Sequence, residues 1–274
     1  MTSEAGIPVV FVHGLWIQAS SWAPWIELYR NAGYRPIAPG WPGDGETATE
    51  TRAHPGRLAG VGLDEITAHY AGIIAGLDEP PIVIGHSVGG AVVQKLNGLA
   101  SLRAAVVISP APVRGVRALP LAQLRSSFPV LRNPGNTKRT VALTVEQFRY
   151  GFGNALSRSE SDELYEAYAI PGPGRPIFEV ATSNLRRRSP ASVDTRTASR
   201  APLLFVAAEH DHTVPAVVTR AAYRLYRDSP AVTELLELSG KAHSCVFDHG
   251  WADVAGRIEG WLERRVREAP SPQK

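Results

Sequence analysis

The chain has 274 residues, 44% hydrophobic and 20% charged, with a formal net charge of +3, enough to bury a full core in one domain or in one domain with a large insertion. The charge is mild and forms no basic stripe with interleaved aromatics, and no apolar run approaches the length of a membrane span, so neither nucleic acid nor a membrane is expected as a partner. A single cysteine, Cys245, excludes an internal disulfide, and residues 1–4 lack the features of a secretory signal; a cytoplasmic protein is expected.

Along the chain, Val9, Val10, Phe11 and Val12 form a short apolar run, as in a strand buried on both faces of a parallel sheet. The run ends in His13, Gly14, Leu15 and Trp16. Ser20 or Ser21 is placed to cap a helix over 22–31, in which Trp22, Trp25, Ile26 and Tyr29 recur at helical spacing, and Gly33 stops it. A second strand over 35–38 runs into a Pro- and Gly-rich loop at 39–45. Asp64 is placed to cap a helix reaching Leu77, with Ile66, Tyr70, Ile73 and Ile74 on one face.

Residues 81–93 organise the rest. Ile82, Val83 and Ile84 lead into Gly85, His86, Ser87, Val88 and Gly89, and a helical pattern of Ala91, Val92, Leu96 and Leu99 follows. This is a G-x-S-x-G motif between strand and helix, the context in which a sharp turn lifts a serine hydroxyl clear of the sheet. A Cβ at Gly85 or Gly89 would collide with neighbouring backbone, and the helix N-terminus favours negative charge beside the serine. The competing reading is a tight strand-to-helix turn carrying an incidental serine.

A buried strand at 104–108 comes next, and then the pattern changes. From 112 to 197 no buried strand is legible; helical segments at 119–127, 145–155, 160–169 and 177–185 are punctuated by Pro129, Pro134 and the Pro-Gly run at 171–174. Arg186, Arg187 and Arg188 read as a solvated face at a helix end. Strands return at 203–207 and 233–238, helices at 216–226 and 251–266, and residues 269–274 are expected to fray. The alternation, broken by one helical block, predicts an α/β doubly wound, mostly parallel sheet with an inserted helical cap: residues 1–112 and 198–274 as the core, 113–197 as the cap. Ligands in such sheets bind at the carboxyl ends of the strands, where all the polar loops fall.

A serine hydroxyl needs a base, and the base needs an orienting carboxylate. The loop after the 203–207 strand offers Glu209, His210, Asp211 and His212; the loop after the 233–238 strand offers His243. Serine, acid, histidine is the chain order of the α/β-hydrolase arrangement rather than of the familiar proteases. Together, the His13-Gly14 loop, the Gly85-to-Gly89 elbow, the acid loop at 211–215 and the histidine loop at 240–244 resemble the α/β-hydrolase superfamily over nearly the whole chain.

The resemblance implies Asp211 as the acid, with Glu209 as the competitor that ends the strand. It matches the first strand here with the third of the family, leaving a minimal sheet of about six strands. His243 is preferred as the base over His249, whose neighbour Asp248 reads as a cap for the final helix. His86 is read as packing locally, His13 as structural and Cys245 as a small buried hydrophobe. His210, Asp211 and His212 lack a third ligand group at metal-like spacing, and no metal or organic cofactor is expected. An oxyanion would be held by the backbone N–H of Val88 and that of Leu15, with Trp16 as the alternative. Trp16 either lines the substrate pocket or anchors its loop, and Phe148 and Phe152, four apart on one helix, are expected to line the pocket.

A serine at the elbow implies acyl rather than alkyl-ester intermediates. The resemblance then implies a hydrolase of a carboxylic ester or lactone of a small, fairly apolar molecule, as a monomer or homodimer. The alternatives are a triad-bearing lyase, a cofactor-free perhydrolase or haloperoxidase, and a non-catalytic ligand-binding protein on the same fold.

Overall fold

The computed structural model describes residues 6–267; the expectations for residues 1–4 and 269–274 lie outside them. The chain forms strands β1 (Pro8–Val12), β2 (Arg35–Ile37), β3 (Ile82–His86), β4 (Ala104–Ile108), β5 (Thr140–Val141), β6 (Gly172–Pro173), β7 (Leu203–Ala208) and β8 (Thr233–Leu238). Six of these make one sheet in the order β2-β1-β3-β4-β7-β8, every pairing parallel. Strands β1, β3, β4 and β7 are buried throughout, which is why each reads as an unbroken apolar run. From β1 the chain steps to β2 on one side and then returns to β3 on the other, so the switch point lies between β1 and β3. This is the minimal six-stranded α/β-hydrolase sheet.

The helices are α1 (Ala23–Asn31), α2 (Ala48–Ala53), α3 (Leu63–Ala75), α4 (Val88–Leu99), α5 (Leu121–Leu131), α6 (Val145–Gly151), α7 (Arg158–Tyr168), α8 (Arg175–Ala181), α9 (Ala216–Arg224) and α10 (Trp251–Leu262). No helix among the described residues is long and apolar enough to cross a membrane. Helix α1 buries Trp25 and Tyr29, which meet Phe11 of β1 edge-on at 5.9 and 5.4 Å, while Trp22 stacks on it at 4.9 Å. Its start differs from the serine cap expected: Gln18 accepts the N–H of Ser20 and opens a 3-10 turn, Ala19–Trp22, that feeds α1.

Other caps differ for identifiable reasons. Asp64 does not cap α3; Gly62 is the N-cap, and the N–H of Leu63 is taken by Glu179 Oε2 at 2.7 Å, a long-range partner invisible to local spacing. Asp64 instead pairs with Lys95 at 2.6 Å. Asp248 bonds Ser244 Oγ and the N–H of Gly250 at 2.7 and 2.8 Å, and Gly250 rather than Asp248 caps α10. Leu99, expected on the buried face of α4, is exposed. Helix α2 was not legible from apolar spacing, yet Thr47 caps it through the N–H of Glu50 at 3.1 Å, a local Thr-x-x-Glu signature.

Between β4 and β7 the regular structure is helical apart from the two-residue ladder β5-β6, with loop at 109–120 and 186–202. Pro129 sits inside the last turn of α5 instead of ending it. Helix α8 is tied to the core by Glu179, which accepts from Leu63 at the start of α3, and by Arg175, which bridges Glu179 and Glu65 at 2.7 Å each. Arg186, Arg187 and Arg188 are exposed just after a 3-10 turn, Ser183–Leu185, that follows α8.

Candidate active site

Ser87 sits between β3 and α4 with φ 55° and ψ −121°, a conformation that L side chains rarely adopt. Strain of this kind costs on the order of 1–3 kcal/mol and persists only where the surroundings over-determine it. Here the N–H of Ser87 donates to Ile108 O at 3.0 Å, and its carbonyl accepts from Gly90, Ala91 and Ala111. A Cβ at Gly85 would lie 2.5 Å from Gly89 O, and one at Gly89 would lie 2.3 Å from Val12 O. Both glycines are therefore required for α4 to pack this close to β1 and β3.

The acid and histidine loops follow β7 and β8 at the same edge of the sheet. Asp211 Oδ1 accepts the N–H groups of Thr213 (2.8 Å) and Val214 (2.6 Å), and its Oδ2 lies 2.6 Å from His243 Nδ1. Both side chains are fully buried. A carboxylate accepts only, so Nδ1 carries the proton and Nε2 is left as the basic nitrogen; it is buried and makes no hydrogen bond. Glu209 is turned away: its Oε2 accepts from Ser239 Oγ (2.6 Å) and Gly240 N–H (2.8 Å), bonds that hold its pKa below the ordinary carboxylate value. His249 is exposed and bonds Glu160 at 2.8 Å. Cys245 is buried, and burial pushes its thiol pKa up, so it stays protonated.

The end of α6 clamps both loops. Three consecutive carbonyls, left free at a helix C-terminus, find partners there: Tyr150 O lies 3.1 Å from His212 Nδ1, Gly151 O accepts Thr213 Oγ1 at 2.8 Å, and Phe152 O accepts the N–H of Ser244 at 3.2 Å. None of these contacts was legible in the sequence, because each joins segments far apart in the chain.

The loop after β1 lies against Ser87; a Cβ on Gly14 would be 2.9 Å from Ser87 Cβ. Among the described residues no hydrogen bond reaches the N–H of Val88, Leu15 or Trp16. Trp16, at φ 68°, both anchors and lines: its Nε1 donates to Val141 O at 3.0 Å, its carbonyl accepts from Ile170, and the residue is part of the lining of the cavity beside Ser87. His13 stacks on Trp41 at 4.8 Å and places Nε2 2.9 Å from Asp44 Oδ2, behind the loop.

A cavity of about 240 Å³ opens beside Ser87 and Val88. Leu15, Val116, Leu124, Ile177 and Val180 give it an aliphatic wall, and Gln123 and Ser127 of α5 add polar groups. Phe148 and Phe152 do not line it, contrary to expectation. They stack on each other at 5.0 Å and are wholly buried, and Phe152 meets the ring of His243 edge-on at 4.8 Å. Their helix turns its aromatic face toward the histidine loop, so α5 and α8 supply the wall instead. Among the described residues no group of three His, Cys, Asp or Glu side chains could hold a metal ion.

His86 packs against His243 with ring centroids 4.5 Å apart. Burial, followed by the neighbouring His243, holds its pKa well below the ordinary value of 6.5. An unfolded chain would therefore take up a proton that the folded chain refuses. Stability contributed by neutral His86 is complete above the unfolded value and falls as pH drops below about 6.5, by up to about 1.4 kcal/mol per pH unit. Urea unfolding across this range should show the decline, and His86→Asn should flatten it; an equal slope in the variant would assign the loss to other groups.

A parallel sheet presenting a strained serine after one central strand, and a buried carboxylate–imidazole pair after its last two strands, defines an α/β-hydrolase. The chain belongs to the alpha/beta hydrolase family, whose family model matches residues 9–257. Solved structures of the same fold include a monoacylglycerol lipase from Paleococcus ferrophilus (21% identity, TM-score 0.67, covering 96% of this chain and 98% of that one). A pyrethroid hydrolase from Sphingobium faniae JZ-2 (19%, TM-score 0.64, 96% and 98%) and a methylesterase from Arabidopsis (16%, TM-score 0.65, 94% and 99%) are similar to the same extent. The sequence matches no curated protein.

Proposed function

We propose that the protein is a serine hydrolase that cleaves a carboxylic ester or lactone of a small, fairly apolar molecule through an acyl-enzyme on Ser87. The observation that carries this reading is the buried Asp211–His243 pair at 2.6 Å, with Nε2 of the imidazole unclaimed, beside a serine in a strained turn at an aliphatic cavity. Ser87 Oγ attacks the carbonyl carbon as His243 Nε2 takes its proton, and Asp211 holds the imidazole tautomer and stabilises the imidazolium. The N–H groups of Val88 and Leu15 receive the oxyanion, assisted by the N-terminus of α4. The imidazolium then gives its proton to the leaving alcohol, and water reverses the sequence to release the acid. The fold neighbours named above are ester-cleaving or hydrolytic enzymes by description, which agrees with this chemistry.

On this reading residues 113–197 act as a cap: α5 and α8 roof the cavity, and the end of α6 holds the acid and histidine loops. Activity across p-nitrophenyl esters of rising chain length, with lactones alongside, tests the proposal. Turnover of short apolar esters is expected, and no hydrolysis of any of them would overturn it.

The wall sets the size limit. Ile177→Ala with Val180→Ala, three apart on α8, should move the kcat/KM optimum toward bulkier esters by about tens-fold, since a methylene's fit is worth roughly 1–3 kcal/mol. An unchanged profile in the folded double variant would place acyl recognition elsewhere.

A further inference from the structure

The solvent face of the helical block is unlike the rest of the surface. Leu119, Leu121, Leu124, Phe128 and Leu185 are exposed, Leu121 and Leu185 by 83% and 85%. These are five of the nine large hydrophobic side chains exposed among the described residues. Leu121, Leu124 and Phe128 fall on one face of α5 at i, i+3 and i+7, opposite the face that carries Gln123 and Ser126 inward. Leu185 follows Asn184, which ties this turn to the segment leading into α5: Asn184 Oδ1 accepts the N–H of Gly115 at 2.7 Å, and its Nδ2 donates to Val116 O.

Positive charge surrounds this apolar strip. Arg114 and Arg117 precede α5, Arg125 lies on it and Arg132 is its C-cap, and the run of Arg186, Arg187 and Arg188 begins immediately after Leu185. All are exposed and none forms a salt bridge, although Arg125 stacks on the ring of Tyr150 at 4.1 Å; exposed arginines without a carboxylate partner, such as Arg30 and Arg158, also occur elsewhere, so it is the density beside an apolar strip that sets this face apart. The sequence contains no Asp or Glu between Glu79 and Glu146, so nothing along α5 neutralises its arginines. Leu119, Leu124 and Arg117 also line the cavity beside Ser87, so the strip reaches the cavity mouth.

We infer that this face docks onto an anionic lipid surface, with the leucines and Phe128 entering the interface and the arginines on the headgroups. Exposed aliphatic side chains among arginines that no carboxylate pairs are the pattern that binds lipid reversibly, apolar burial and headgroup attraction acting together. A second copy of the chain fits less well, because a two-fold contact through this face would oppose its own arginines. The face carries a single aromatic ring, too few to stack nucleic-acid bases. The expectation that no membrane is a partner rested on the mild charge and on the lack of a spanning segment; docking at this face departs from it, drawing on exposed side chains from two parts of the chain. The connection to the cavity rests on the ester-hydrolase reading; the docking itself does not.

Flotation of the full-length chain with vesicles of phosphatidylcholine alone, or of phosphatidylcholine mixed with phosphatidylglycerol, tests the inference. Binding to the mixed vesicles is expected, weaker binding to the neutral ones, and release by high salt. Leu121→Ser with Phe128→Ser should abolish flotation, and neutralising Arg187 should weaken it about fivefold. Neither change touches the cavity wall, so hydrolysis of a water-soluble short ester and labelling of Ser87 should be unaltered. Equal binding to both vesicle types, no binding, or self-association lost in Leu121→Ser in place of flotation would overturn the inference. Failure of wild-type ester hydrolysis with flotation intact would instead count against the proposed activity alone.

Discussion

Ser87→Ala is expected to lower kcat by about a millionfold on any ester the protein turns over, leaving the roughly 10³-fold acceleration supplied by binding and the oxyanion donors. On the proposed mechanism the loss is large because the Ser87 hydroxyl oxygen forms the acyl bond, and no neighbour is placed to replace it. Cys245 is buried and held protonated, and the other hydroxyls lining the cavity, Ser127, Ser183 and Thr213, lie outside the strained turn, with Thr213 Oγ1 donating to Gly151 O. The fold should be indifferent to the change, since alanine at φ 55° is as strained as serine. Ser87→Gly separates the two effects further. It too should be inactive, yet relief of the left-handed strain offsets glycine's entropic cost, so it should unfold at equal or higher urea concentration than the wild type. An inactive but destabilised Ser87→Gly would show that the turn is not strained in the way its dihedral angles indicate.

Asp211→Asn is the second large effect, a loss of about 10⁴-fold in kcat. Asp211 Oδ1 is committed to the N–H groups of Thr213 and Val214, so an asparagine should keep its oxygen there and turn its amide toward His243. The amide donates where a carboxylate accepted, which moves the imidazole proton to Nε2 and leaves no basic nitrogen to take the serine proton. Glu209→Gln should cost little, because Glu209 ties Ser239 and Gly240 outside the pair. Parallel kinetics on the two variants decide between the acids, and a damaging Glu209→Gln with a mild Asp211→Asn would reverse the assignment.

The sheet was legible because its central strands are buried on both faces, which leaves unbroken runs such as Ile82 to Ile84 and Ala104 to Ile108. The serine and acid loops were legible because each follows such a run, the histidine loop because it follows the half-buried edge strand β8, and a parallel sheet gathers strand ends at one edge. What local spacing cannot reveal is the partner of a buried face. Phe148 and Phe152 were read as pocket residues from their size and spacing, but that spacing shows only that one helix face is covered; it is covered by Tyr165, Trp16 and His243. The true wall, Leu124, Ile177 and Val180, carries no signal that separates it from ordinary amphipathic helix. The cap of α3 failed for the same reason, since Glu179 reaches it across the fold.

The central claim is that Ser87 carries the acyl group, and covalent capture tests it most directly. The protein treated with a fluorophosphonate should gain the mass of one label, mapped by peptide mass spectrometry to Ser87. Labelling should be absent in Ser87→Ala and slowed in Asp211→Asn. A label on another residue, or hydrolytically active protein that takes up none, would contradict the account.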